Sequence, residues 1–388
     1  MTAPAVVVAA KGAARWRAGH PWIYRSDVAT SARAPAGVVR VSDRAGRFLG
    51  QALHSPASEI RLRRLATADE PIDAAWWRTR IGEALARRAG VAGGATAYRV
   101  VHAEADGLPS LVVDRYAEIA VVQLLSAGLE TLRADVLGAV ADVLHPRGIL
   151  LRNDASVRRH ERLPLEIVEA AGTVPETIDV EEAGIRYVVA PRSGQKTGAF
   201  LDQRENRMLM GRLARGRALD AFTYQGLFAL HMAGRADRVL AVDSSAAALE
   251  VARENAARNG RDNIAWREAN AFDCLRALER EGQRFETIVL DPPAFAKRKS
   301  AVTRALAGYK EINLRALRLL APGGVLFTAS CSFHVGRSAF LAMLADAAAD
   351  SGRRVALERI TGQSADHPEL LTVPETGYLK GAVLRALE

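Results

Sequence analysis

Cysteine is scarce in this chain. Cys274 and Cys331 are the only two among 388 residues, which excludes a disulfide framework and leaves too few thiolates for a four-thiolate iron–sulfur cluster. No Cys/His spacing suits a metal, so no metal centre is expected. No apolar run approaches the roughly 18 residues needed to cross a bilayer. Residues 1–10 are mildly apolar but lack a basic leader, so the expectation is a cytoplasmic chain with no membrane partner. No internal repeat or low-complexity tract stands out beyond an Ala/Arg bias. The Walker spacing of glycines is missing around Lys196-Thr197, which excludes nucleoside triphosphate binding there.

What is present suits a globular protein of two or three domains: 49% of residues are hydrophobic and 25% charged. Lys+Arg number 53 against 44 Asp+Glu, a net +9 carried mostly by Arg. That balance is compatible with a polyanionic partner without requiring one. Residues 1–73 read as short strands. The runs 38–41 and 48–52 flank a turn ending at Gly46, and 60–65 alternates Leu62 and Leu65 with Arg61, Arg63 and Arg64. Alternation predicts a half-buried strand with a row of arginines on its exposed face. Such a row is either a solvated edge blunted by charge or an RNA contact. Trp22 is expected in the core of this small β-domain. Residues 74–182 mix helical spacing over 71–89 and 132–144 with strand-like runs at 98–102, 110–113, 119–125 and 148–152, an α+β pattern. From residue 217 onward strands and helices alternate, as in a doubly wound parallel sheet.

The first strand of that sheet ends in Asp220-Ala221-Phe222-Thr223-Tyr224-Gln225-Gly226, and the second ends at Asp243. An acid about 20 residues beyond the first loop suits the ribose hydroxyls of either a dinucleotide or S-adenosylmethionine. A dinucleotide pyrophosphate needs several glycines at a helix N-terminus, whereas this loop has one, Gly226, and an acid at its head. The charge of Asp220 would repel a pyrophosphate and hold an ammonium group, which points to the methyl donor. A helix cap is the alternative role for Asp220. Further on, the apolar runs 287–290 and 325–329 bracket a helical segment, 299–320. This strand–helix–strand unit places Asp291-Pro292-Pro293-Ala294-Phe295 and Ser330-Cys331-Ser332 at one sheet edge. Ligands of open α/β sheets bind outside that edge.

An acid and a thiol on adjoining strands suit a pyrimidine. Thiolate addition at carbon 6 makes carbon 5 nucleophilic, and an acid near N3 and the 4-amino group stabilises the developing charge. The prolines set the loop so that Phe295 can stack on a base. The plainer alternatives are a small apolar residue at a strand end for Cys331 and a tight turn for Asp291-Pro292-Pro293. Cys274 sits in a helical stretch, 272–278, and is expected in the core.

Several motifs carry a resemblance. Gly19-His20-Pro21-Trp22-Ile23-Tyr24, Gly46-Arg47-Phe48-Leu49-Gly50 and Ser58-Glu59-Ile60-Arg61 resemble the N-terminal PUA domain of the bacterial 23S ribosomal RNA cytosine-C5 methyltransferase family. The stretch 98–158 is similar to that family's middle domain, and 194–207 to its signature at the entrance of the catalytic domain. Residues 218–259, 291–299, 308–313, Pro322-Gly323-Gly324 and 330–335 resemble the catalytic domain itself. The resemblance implies a PUA domain over 1–73, an α+β domain over 74–182 and a Rossmann-like class I methyltransferase domain over 183–388. It implies 5-methylcytidine formation in 23S rRNA, with Cys331 as nucleophile and Asp291 on the cytosine. S-adenosylmethionine would be held by Lys196, Thr197, Gly198, Phe200, Asp220, Phe222, Thr223, Tyr224, Gly226, Asp243, Ser244, Asn270, Ala271 and Asp291. RNA would be met by Arg61, Arg63, Arg64, Phe295 and Lys297, and a homodimer is expected. Leu227, Asn270 and Ala294 stand where relatives carry Gly, Asp and Lys. The rival expectations are methylation of an exocyclic base amine or of uridine C5, and a non-catalytic RNA-binding assembly factor.

Overall fold

The computed structural model describes residues 4–30, 34–296 and 298–387. The chain forms two compact units. One comprises Met1–Glu182, Val189–Leu201 and Ala365–Thr376; the other comprises Ala183–Val188, Asp202–Ser364 and Gly377–Glu388. Residues 189–201 and 365–376, expected within a third consecutive domain, thus group with the first unit.

The first unit holds two sheets, each over its own apolar cluster. The six-stranded sheet runs in the order Trp22–Tyr24, Ile60–Ala66, Phe48–His54, Gly37–Asp43, Ala5–Val8, Val28–Thr30. Its core gathers Val8, Trp16, Ile23, Val39, Val41 and Leu62. Trp16 fills this core and Trp22 does not. Trp22 stays half-buried because its indole N–H needs an acceptor, found 2.9 Å away on Glu104. The five-stranded sheet, Glu166–Gly172, Gly148–Asn153, Ile119–Leu124, Leu111–Tyr116, Ala97–His102, packs with the helices Ala74–Ala86 and Arg133–Leu144. Trp77, Ile81, Val136 and Val140 sit in their shared cluster. Asp73 caps the first of these helices by accepting from the Trp76 N–H.

The strand over Ile60–Ala66 forms as the alternation predicts, but its arginines do not make an exposed row. Arg61 is 8% and Arg63 5% exposed. Arg63 donates to Glu161 at 2.9 Å and Arg61 to the Pro56 carbonyl. Arg64 donates to the carbonyls of Trp16 and Gly19. The strand is interior to its sheet, and the guanidinium groups spend their donors on the protein rather than on RNA. Burial pushes the Glu161 carboxyl up, but Arg63 and hydrogen bonds from Ser58 and Ala127 outweigh it and hold the group below the usual range. A lowered carboxyl stabilises the fold above its ordinary range and loses that contribution as pH falls through the lowered value. Arg63→Met should therefore cost about 3–5 kcal/mol at neutral pH, measured by urea unfolding, and the gap should close on acidification. An RNA-facing arginine would instead lose RNA affinity with stability intact.

The second unit is built on one sheet of seven strands: β1 (Arg217–Ala221), β2 (Arg238–Asp243), β3 (Ile264–Glu268), β4 (Phe285–Leu290), β5 (Leu320–Ser330), β6 (Val355–Thr361) and β7 (Lys380–Ala386). Their order is β3-β2-β1-β4-β5-β7-β6. Strands β1 to β5 are parallel, and β7 runs antiparallel to both neighbours. Helix α1 (Arg204–Leu213) precedes β1, and helices α2 (Leu227–Met232), α3 (Ala246–Arg258), α4 (Ala271–Arg280), α5 (Val302–Leu319) and α6 (Arg337–Ser351) supply the crossovers. Alternate residues of the buried strands feed two apolar layers, as a doubly wound sheet requires. Leu219, Ile288, Leu290 and Leu326 pack with Leu275, Tyr309, Ile312 and Phe340 on one face. Ala218, Val289, Val325 and Phe327 pack with Met210, Phe228 and Met232 on the other. The order reverses at β1 and β4, so ligand-binding chemistry is expected beyond their carboxyl ends. Among the described residues, no helix is long and apolar enough to cross a membrane.

Candidate active site

Asp220, one residue from the end of β1, is fully buried. Its Oδ2 accepts from the Thr223 hydroxyl and, at 2.9 Å, from the Ala229 N–H in the first turn of α2. The helix-cap role is therefore real, but it occupies one oxygen; Oδ1 is buried without a hydrogen-bond partner. Burial pushes this carboxyl up to about 7 against the pull of those two hydrogen bonds, and the charges of Asp291 and Asp243 add to the rise. A buried acceptor left unmade costs about 1–3 kcal/mol, a cost that a cationic donor in the pocket would lift.

The loop after β1 is held by its backbone. Phe222 and Tyr224 adopt left-handed conformations, φ 67° and 50°, a strain that clusters at functional sites. Gly226 has φ 81°, and a Cβ there would stand 2.7 Å from the Trp266 ring, so glycine is required on two counts. Leu227 opens α2 and is buried; nothing in the turn needs a second glycine there. At the end of β2, Asp243 accepts from the Tyr224 N–H at 2.8 Å and the Ser245 N–H at 2.9 Å. Its carboxylate fixes the first loop and keeps further lone pairs for a ligand. Ser244 is exposed beside it. The Asn270 Oδ1 caps α4, accepting from the Phe272 and Asp273 N–H groups. Ala271 is the buried first residue of that helix.

Asp291 follows β4. Its Oδ1 accepts from the Gln203 side chain at 2.7 Å, and Gln203 in turn accepts from Asn206 at 2.6 Å. Neither amide was assigned a role from sequence, although both lie in the polar stretch 194–207. Leu290 pairs with Thr328 in the β4–β5 ladder, so the turns after the two strands emerge side by side. The Cys331 sulfur lies 4.0 Å from the Pro292 carbonyl and is half-buried, whereas Cys274 is in the core. Ser332 fastens both turns: its Oγ accepts from the Ala296 N–H at 3.1 Å and is 2.9 Å from the Tyr309 hydroxyl. Phe295 does not stand out as a stacking platform. Its ring packs on Tyr309 (4.5 Å) and Phe272 (5.8 Å), drawn to the margin of the core by neighbouring aromatics. Lys297 lies outside the described residues.

Lys196, Thr197, Gly198 and Phe200 belong to the first unit. Thr197 is buried and donates to Asp114, with its Oγ1 3.0 Å from the Tyr116 hydroxyl. The Lys196 ammonium sits 4.6 Å over the Phe200 ring.

Residues 152–384 match the S-adenosylmethionine-dependent methyltransferase family, and residues 6–67 match a PUA-like domain. Ribosomal RNA large subunit methyltransferase I of Shewanella amazonensis is 41% identical over 377 residues, 94% of this chain and 95% of that protein. Its counterpart from Klebsiella pneumoniae is 39% identical over 95% of this chain and 94% of its own. The chain belongs to this methyltransferase family. A SAM-dependent methyltransferase from Streptococcus mutans shares its fold, with a TM-score of 0.83 at 19% identity over 98% of this chain and all of that one. A second methyltransferase structure, complexed with SAH, gives 0.84 at 20% identity over the same shares.

The residues fit the family's cofactor. S-adenosylmethionine carries an ammonium, which answers the unpartnered oxygen of Asp220, and no phosphate, which the three neighbouring acids would repel. The carboxylate form is the one that binds an ammonium, so affinity should rise as pH rises through about 7. Calorimetric titration with S-adenosylhomocysteine should show tighter binding at pH 7.5 than at pH 6. Asp220→Asn should weaken binding by roughly 10–100-fold, the worth of a charged hydrogen bond, and flatten that pH dependence.

Proposed function

We propose that this protein forms 5-methylcytidine in 23S ribosomal RNA, with Cys331 as the nucleophile and Asp291 as the residue that holds the cytosine. The observation that carries this reading is the Cys331 sulfur lying 4.0 Å from the carbonyl of Pro292, the residue after Asp291. The thiol's turn thereby lies against the turn that begins at Asp291, whose carboxylate is oriented by Gln203. Methylation of an exocyclic amine would need no thiol there. The RNA substrate is supported by the relatives named as ribosomal RNA large subunit methyltransferases, by the PUA-like domain and by the net charge of +9. A cytoplasmic location and a homodimer belong to the same proposal.

Bound S-adenosylmethionine supplies an electrophilic methyl group at this edge. Asp220 takes its ammonium and Asp243 its ribose hydroxyls, while Phe222, Thr223, Tyr224, Gly226, Ser244 and Ala271 shape the pocket. The Cys331 thiolate adds to carbon 6, leaving carbon 5 electron-rich. Asp291 faces N3 and the 4-amino group, where charge develops, and Gln203 keeps that carboxylate oriented. After transfer a base removes the proton from carbon 5 and the thiolate departs, restoring the aromatic ring.

The experiment is methylation of rRNA followed by mass spectrometry of digested nucleosides, with wild type and Cys331→Ala in parallel. Wild type should yield 5-methylcytidine. Cys331→Ala should lose at least ~10³-fold in rate while S-adenosylhomocysteine affinity is kept. Retained activity with methylated amino groups in the product would select amine methylation instead, and 5-methyluridine would select the uridine reading.

A further inference from the structure

Lys380 opens β7, opposite Ser330 at the end of β5. It is 4% exposed. Its Nζ reaches across the turn that carries Cys331 and donates to the Ser332 carbonyl and to the Tyr378 carbonyl, both at 2.7 Å. Two of the three ammonium donors are thus tied to backbone, one to the thiol's turn and one to the segment before β7. Among the described residues, no carboxylate forms an ion pair with this buried cation. A buried charge without an opposite charge is costly, and the electrostatic neighbours of Lys380 are the Cys331 sulfur, which favours the ammonium, and Arg337 at the head of α6, which opposes it. Burial, the largest influence, pushes the ammonium down to about 8. It is therefore charged at neutral pH and close to losing its proton.

We propose that Lys380 is a positioning residue for the reaction: the fixed counter-ion of the Cys331 thiolate, holding the sulfur ionised and aimed at carbon 6. This rests on Cys331 being the nucleophile. Among the described residues, Tyr309 and Pro292, which border that turn, do not supply such a charge. The Tyr309 hydroxyl is neutral, its ionisation pushed up by burial and by the thiolate itself, and the Pro292 carbonyl and the carboxylate of Asp291 are acceptors. Arg337 shares the positive field but sits on a helix, whereas Lys380 is bonded to the carbonyl of the residue after Cys331. The sign follows directly: the ammonium assists the thiolate below about pH 8 and ceases to as pH rises through that value.

The test is the rate of iodoacetamide alkylation of Cys331 in the full-length protein as a function of pH, read by mass spectrometry of the Cys331 peptide so that Cys274 is counted separately. In wild type, Cys331 should alkylate about 10-fold faster at pH 7 than a cysteine in an unstructured peptide. Lys380→Met should slow it about 10-fold at pH 7 and move the midpoint of the profile upward by about one pH unit or more. Lys380→Arg, which keeps the charge, should recover most of the rate. In methylation assays Lys380→Met should lower kcat with S-adenosylhomocysteine affinity unchanged. An alkylation profile of Lys380→Met superimposable on wild type would overturn the proposal, since a purely structural lysine would change stability and not the profile. Should Lys380→Met fail to fold, wild-type Cys331 alkylating no faster than the peptide would overturn it equally. Methylation of carbon 5 by Cys331→Ala would instead defeat the nucleophile assignment, a separate result.

Discussion

Leu290 lies opposite Thr328 in the parallel ladder between β4 and β5, and the turns that carry Asp291 and Cys331 take their places from that pairing. Parallel strands share a carboxyl edge, so the chain leaves both strands in the same direction and both turns open onto one crevice. Asp291 leaves β4 there, and Cys331 leaves β5. The prolines after Asp291 stiffen the first turn, and Ser332 ties it to the second through the Ala296 amide. A slip of one residue in this ladder would turn the side chains beyond it to the opposite face. In the proposed mechanism the thiol and the carboxylate could then no longer serve one ring.

Charge is partitioned across the same edge. Asp220, Asp243 and Asp291 follow three adjacent strands and make the cofactor side acidic, with Asp220 buried deeply enough to hold its proton near neutrality. Lys380 makes the nucleophile side basic, reaching it from β7, the antiparallel strand beside β5. In the proposed reaction a cationic methyl donor and an anionic sulfur would each meet a complementary field. The acids that attract the one would discourage ionisation of the other, which gives a physical reason for a buried ammonium next to the thiol and not elsewhere.

Much of this was legible in the sequence. The β-branched run ending at Asp291, the helical segment after it and the apolar run before Cys331 gave the strand–helix–strand unit, and with it the shared edge at which both turns emerge. The single acid at the head of a glycine-poor loop separated the methyl donor from a dinucleotide. What stayed hidden depends on contacts between distant residues. Alternation at Arg61 and Arg63 could not reveal that Glu161, nearly a hundred residues later, closes over the strand. Lys380 acquires meaning only when the last strand pairs with β5. Phe222 and Tyr224 carry no local signal for left-handed backbone. Asn270 directly before a helix is a legible cap signal, and the cap forms.

The central claim is a covalent bond between Cys331 and carbon 6 of a cytosine. Its most direct measurement uses rRNA carrying 5-fluorocytidine, where fluorine replaces the hydrogen that a base must remove, so that the thioether persists after methyl transfer. Incubation with S-adenosylmethionine should give a protein–RNA species that survives denaturing electrophoresis, with the nucleotide mapped by mass spectrometry to the Cys331 peptide and absent from Cys331→Ala. A cross-link mapped to another residue, or efficient 5-methylcytidine formation on ordinary RNA with no trapped species on the fluorinated one, would contradict it.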